Sequence, residues 1–244
     1  ALGLLITNDS PIISFLKSII EPVIISSEVL SIIVLSNKIS SLLISLSKLK
    51  LYAQSINDPK IKGTIITGSP GMFSGGLDLI ELSDKDKKYM QIFWDNFSSL
   101  LIKIYSFPKL IFSAISGHSP AGGTVIAIMT DYRIMSQGKY FIGLNEVAVG
   151  LTMPIGIGEV FKNILGYRVS EKMTLKGELI FPEKAKEVGL IDELVDDAKS
   201  SIIETSINTM EEWFNLPLGR QIESKLIMRE RTLDLMRKNF KIPN

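Results

Sequence analysis

Apolar positions along this chain fall into two patterns, short continuous runs and longer stretches with three- and four-residue spacing. The β-branched runs at 31–35 and Gly63–Thr67 predict buried strands. Between them Leu42, Leu43, Leu46, Leu49 and Ala53 share one face of a predicted helix over 39–57, completing a β-α-β unit. The clearest amphipathic stretch is 84–106, where Tyr89, Ile92, Phe93, Phe97, Leu100, Leu101 and Ile104 recur at helical steps. Pro108 ends it. Leu110–Ile115 reads as the next strand, Gly122 and Gly123 open a short apolar helix to about Met129, and 132–135 and 140–142 read as further short strands. Beyond residue 146 the pattern turns helical: 155–164, 170–175 and 182–188, separated by Gly166, Gly177 and Gly189, then 199–216 and Leu218–Asn239, broken at Pro217. No internal repeat is evident. The alternation predicts an α/β fold with a helical C-terminal portion, and a composition shift near 189–197 divides a core of 1–190 from a helical region of 191–244.

Composition narrows the chemistry. The chain has 244 residues, 45% of them hydrophobic, and a net charge of +1. Its basic residues form no stripe interleaved with aromatics, so no nucleic-acid partner is expected. With no cysteine and a single histidine, His118, thiolate catalysis, disulfides, Cys-ligated zinc and multi-His metal sites are excluded. Mean hydropathy is high at +0.26. The apolar region 12–49 is nevertheless interrupted by Lys17, Glu21, Glu28 and Lys38, and 110–130 carries Gly117, Pro120, Gly122 and Gly123. Neither suits a spanning helix. The N-terminus has no Arg-rich amphipathic segment and no initiator Met, so any targeting peptide is expected to have been removed or never to have existed. The C-terminal KIPN is no peroxisomal signal.

Candidate chemistry concentrates in two glycine turns and one acidic turn. The first, GSPGMFSGGLDL at 68–79, has neither GxxxxGK[ST] nor GxGxxG spacing, which argues against a nucleotide loop. Its glycines let backbone approach a ligand, and Asp78 is read as bonding the local turn. The second lies in SAISGHSPAGG, from Ser113 onward, where GHSPA misses the GxSxG nucleophile pattern at Ala121. His118 and Ser119 are adjacent and their side chains diverge, so a Ser–His pair is not expected. Gly122 and Gly123 at a helix start instead offer free N–H groups to a developing oxyanion. The third is GLNE, ending at Asn145 and Glu146 among Phe141, Ile142, Leu144, Val147, Val149 and Leu151. A carboxylate in apolar surroundings is a stronger base. No second acidic or histidine ligand stands at metal spacing around Glu146. Amide donors opposite one base equip a protein to move a proton next to a carbonyl.

At GMFSGGLDL, SAISGHSPAGG, TDYRIM and YFIGLNE the chain resembles the enoyl-CoA hydratase/isomerase (crotonase) superfamily. Within it the resemblance is to the mitochondrial-type Δ3,Δ2-enoyl-CoA (dodecenoyl-CoA) isomerases. Weaker similarity extends from about Ser31 to Arg229. The resemblance implies a crotonase-like ββα spiral with a helical C-terminal trimerisation region and a coenzyme A thioester as substrate. It implies an oxyanion hole from the amides of Leu77 and Gly122 and a lining turn of Gly75, Gly76, Leu77, Asp78 and Leu79. Asn145 would contact substrate and Glu146 would be the base. Family hydratases carry a second catalytic glutamate just after the second glycine turn; here that position is Val125. An Asn-containing loop of the family is replaced by a shortened Ile39-Ser40-Ser41-Leu42, which puts the adenosine-end contacts in question.

The expectation is therefore a Δ3,Δ2-enoyl-CoA isomerase of fatty-acid β-oxidation working by a single-glutamate proton shift, without metal or redox cofactor. Hydration, dienoyl isomerisation, thioester hydrolysis and non-catalytic acyl-CoA binding are the alternatives. A homotrimer or dimer of trimers is expected, with Trp213, Phe214, Leu226, Ile227 and Met228 seeking partners. The mitochondrial matrix is the expected location, with peroxisome or cytoplasm as alternatives.

Overall fold

The computed structural model describes residues 30–35, 56–197 and 200–239. The Ile39–Leu42 motif lies outside them, as does the predicted helix over 39–57 except for its last two residues. Five parallel strands form the main sheet, in the order β1 (Leu30–Val34), β2 (Gly63–Thr67), β4 (Leu110–Ile115), β6 (Tyr132–Ser136), β8 (Glu193–Val195). Every residue of β2 and β4 is buried. That is why both read as short uncharged runs without strict alternation: a parallel strand covered on both faces has no solvent side to mark with charged residues. The faces still differ, because successive side chains point oppositely. Ile65, Phe112, Ala114 and Ile134 belong to one core, while Ile66, Ile111, Ile115 and Met135 belong to the other.

A second sheet of three short parallel strands stacks β3 (Gly71–Met72), β5 (Gly117–Pro120) and β7 (Ile142–Gly143). The chain visits the two sheets alternately: β2 then β3, β4 then β5, β6 then β7. Each visit ends in helix. The first runs into α1 (Leu79–Ser83) and α2 (Lys87–Tyr105), and the second into α3 (Gly122–Ile128). The third enters a 3-10 turn (Glu146–Val149), then α4 (Ile155–Leu165), α5 (Tyr167–Lys176) and α6 (Pro182–Glu187). This spiral is a structural repeat with no sequence counterpart, because its shared feature is backbone path.

The long helix α2 buries Phe93, Trp94, Phe97, Leu100, Leu101 and Ile104 in the core that holds Ile66, Ile111, Ile115 and Met135. Asp86 caps it by accepting from Tyr89 N at 2.7 Å. On the opposite face of the main sheet lies α7 (Ile202–Trp213), and α8 (Leu218–Asn239) follows. The composition shift near 189–197 coincides with β8, which pairs with β6 before the two final helices begin.

One expectation needs correcting. Trp213 packs edge-on to Phe112 at 5.1 Å and against Tyr132 at 5.4 Å, and Phe214 joins the same core, so both find partners within the chain. The sequence shows two apolar aromatics on a terminal helix but not the sheet face waiting for them. Ile227 and Met228 do remain 68% and 85% exposed. Among the described residues no helix is long and apolar enough to cross a membrane.

Candidate active site

The turn after β3 and the turn after β5 meet because their strands pair. Phe73 N and Ser74 N both bond His118 O, at 2.9 and 3.3 Å, drawing the first glycine turn onto the second. Gly123 makes the contact possible: a Cβ there would stand 2.5 Å from Ser74 O. Ala121 takes an unusual backbone, φ 46 and ψ −115, just before Gly122. Such a conformation costs a non-glycine residue on the order of 1–3 kcal/mol and persists only where its surroundings hold it. As the first residue of α3, Gly122 has no carbonyl one helical turn behind it to accept its N–H.

These turns form one wall of a cavity of about 170 Å³. Gly75, Leu77, Leu79, Gly122, Val125, Asn145 and Glu146 all line it. Two members of the expected lining turn, residues 75–79, do not. Gly76 is buried against Gly122 instead, and Asp78 leads into α1, its carbonyl accepting from Leu82 N at 3.0 Å. The remaining lining is apolar apart from Thr152: Trp94 and Phe97 from α2, Val149 at the end of the 3-10 turn, then Leu151, Pro154 and Ile157. The helical spacing of 84–106 shows that Phe97 is buried, but not that it faces a cavity. Trp94 carried no separate signal.

Glu146 is the only titratable side chain among the described lining residues. Burial pushes its carboxyl above the ordinary carboxylate value, and a hydrogen bond from its own backbone amide opposes this in part. Its Oε2 and the Oδ1 of Asn145 are buried and accept no hydrogen bond among the described residues. Two acceptors left without donors inside an apolar cavity are costly unless a ligand or a proton completes them. Val125, which follows the second glycine turn, is 2% exposed and contributes only methyl groups to the wall.

His118 and Ser119 occupy successive positions of β5 and therefore opposite faces. His118 Nδ1 accepts from Phe141 N at 3.1 Å, and its ring stacks on Phe141 and meets Tyr140 edge-on. Neither residue lines the cavity. Among the described residues no group of three or more His, Cys, Asp or Glu could hold a metal ion.

The family model described as Enoyl-CoA hydratase/isomerase matches residues 40–238. The chain is 35% identical over 193 residues to mouse "Enoyl-CoA delta isomerase 1, mitochondrial", covering 78% of this chain and 64% of the mouse protein. To the human protein of the same name it is 32% identical over 191 residues, covering 78% and 61%. It thus spans somewhat less than two thirds of those relatives' length. The crystal structure of human mitochondrial delta3-delta2-enoyl-CoA isomerase superposes with a TM-score of 0.83 at 27% identity, over 90% of this chain and 86% of that one.

Proposed function

This chain belongs to the enoyl-CoA hydratase/isomerase family, and from that premise we propose that it is a Δ3,Δ2-enoyl-CoA isomerase. The substrate is a 3-enoyl-CoA, its acyl chain lying along Trp94, Phe97, Leu151 and Ile157. The thioester oxygen accepts hydrogen bonds from the amides of Leu77 and Gly122. Glu146 takes the proton from C2, which is acidic because the resulting charge delocalises onto that oxygen. The electron pair forms C2=C3, the C3=C4 pair shifts to C4, and Glu146 returns the proton there. The product is 2-trans-enoyl-CoA. No electron leaves the substrate and no water is added, so the scheme uses neither redox cofactor nor metal. Each oxyanion donor contributes about 3–4 kcal/mol to transition-state stabilisation in comparable sites.

The observation carrying this reading is that Glu146 is the one titratable residue among the described residues lining the cavity, which the glycine turns also line, with Val125 where a second acid would stand. A 1,3-proton shift needs one carboxylate that can both accept and return a proton. Hydration needs a second group to activate water. The likeness to the mitochondrial isomerases supports the same choice. It also supports a mitochondrial location, and the exposed Ile227 and Met228 on α8 support association into a homotrimer or dimer of trimers.

The test is to incubate the protein separately with 3-enoyl-CoA, 2-enoyl-CoA and 3,5-dienoyl-CoA and to separate the products. Rapid consumption of the first alone agrees with the proposal. Faster hydration of the second, or faster turnover of the third, contradicts it.

A further inference from the structure

We propose that Thr124 is a positioning residue that sets the Gly122 amide against the Glu146 carboxylate. The inference rests on the reading above, in which both groups face one thioester. Thr124 is fully buried in the first turn of α3 and is not among the residues lining the cavity. Its Oγ1 accepts from Gly143 N at 2.9 Å and donates to Ser119 O. The hydroxyl proton is thereby committed, and one side chain joins three segments: β5, the start of α3, and β7.

Each of those segments carries part of the site. β5 runs into the second glycine turn, α3 begins with Gly122, and β7 leads through Leu144 and Asn145 to Glu146. A second bond runs beside the first, from Ala121 N to Gly143 O at 2.9 Å. Gly143 thus accepts from the residue before Gly122 and donates to a side chain two residues after it, which brackets the amide from both ends. Ala121 is the only described non-glycine residue with positive φ. Its peptide is turned just where the donor must aim, and these two bonds oppose its relaxation. Gly143 is in turn confined from its other side, where a Cβ would stand 2.4 Å from Glu178 O.

Valine has the shape of threonine, so packing alone does not call for a hydroxyl here. What valine cannot supply is the acceptor for Gly143 N and the donor to Ser119 O. Without them the segment that leads from β7 to Glu146 and the turn bearing Gly122 keep the Ala121 bond, the short β5–β7 pairing and the Phe141 N to His118 Nδ1 bond. Misplacement of reacting groups by about 1 Å can cost on the order of 100-fold in rate. The residues lining the cavity are untouched, so binding is spared while the transition state suffers.

The experiment compares wild type with Thr124→Val and Thr124→Ser, each corrected for its folded fraction. With 3-enoyl-CoA, Thr124→Val is expected to lose about 10- to 100-fold in kcat with KM within about twofold, and Thr124→Ser to recover most of it. Infrared spectra of a bound saturated acyl-CoA, 13C-labelled at the thioester carbonyl, give a second readout. The carbonyl band shifts to lower frequency when amides hydrogen-bond it; the shift should shrink in Thr124→Val and return in Thr124→Ser. If Thr124→Val does not fold, Thr124→Ala takes its place. An unchanged kcat and an unchanged band in the hydroxyl-free variant overturn the role of Thr124. Wild type that shifts the band without isomerising 3-enoyl-CoA overturns the isomerase reading, and the variant's band still decides Thr124. A wild type that binds no acyl-CoA overturns both.

Discussion

Gly76 sits so close to Gly122 that a Cβ added to Gly76 would stand 3.0 Å from the Gly122 nitrogen and 3.3 Å from Pro120 O. The two glycine turns are therefore in direct contact through backbone, at the point where the proposed oxyanion donors converge. Gly76 also has a φ of 84°, which L side chains rarely adopt.

Gly76→Ala should accordingly disturb both turns. The left-handed backbone alone costs roughly 1–2 kcal/mol, and the neighbouring amide must also yield. We expect a lower Tm and a loss of turnover of about tenfold or more, measured on the folded fraction. A variant with wild-type kcat would show that the Gly122 amide tolerates displacement.

How much of this was legible in the sequence depended on length and burial. β2 and β4 announce themselves as uncharged runs, β-branched in β2 and largely apolar in β4, because both of their faces are covered, and α2 announces itself because its apolar face spans five turns. β3, β5 and β7 have two to four residues each, too few to show any period. Gly117–Pro120 carries a glycine and a proline that read as a turn, although two of its residues pair with β7. Glu146 and the glycine turns could be recognised by composition and resemblance. Trp94 and Thr124 could not, since each looks like an ordinary helix residue until the segment opposite is known. The packing of Trp213 on Phe112 and Tyr132 is hidden in the sequence for the same reason.

Asp131 anchors the C-terminal helix and predicts a stability effect. Its Oδ2 accepts from Lys225 Nζ at 3.0 Å and its Oδ1 forms an ion pair with Arg229 Nη1 at 3.0 Å, with all three side chains no more than 15% exposed. Arg229 also lies 4.3 Å from the Tyr105 ring centroid and donates to Tyr105 O. Burial lowers the Lys225 pKa, with Asp131 opposing. Asp131→Ala strands two buried cations and should cost about 3–5 kcal/mol in urea unfolding. A cost below about 1 kcal/mol would mean that the Asp131 ion pairs do not anchor α8.

The raised Glu146 pKa links activity and stability to pH in opposite directions. The base works deprotonated, so kcat/KM should fall on acidification with an apparent pKa above the ordinary carboxylate value of 4.5. Stability follows from proton counts. Between the unfolded and the higher folded pKa the native state holds more protons, so stability decreases as pH rises through that window. Glu146→Gln carries no such charge. It should melt above wild type at neutral pH, and the difference should vanish well below the ordinary carboxylate range. Equal melting temperatures at neutral pH would indicate that the folded carboxyl is not destabilised by burial.

The central claim is that one carboxylate moves the proton, and Glu146→Gln tests it most directly. The amide keeps the size of the side chain and cannot accept the proton. Turnover of 3-enoyl-CoA should fall by about 10²–10⁴-fold, the usual contribution of a positioned acid–base group. Acyl-CoA affinity, measured on the same preparation by calorimetry, should stay within about threefold, because the amides and the apolar wall remain. A Glu146→Gln protein that binds acyl-CoA and isomerises at the wild-type rate would contradict the account.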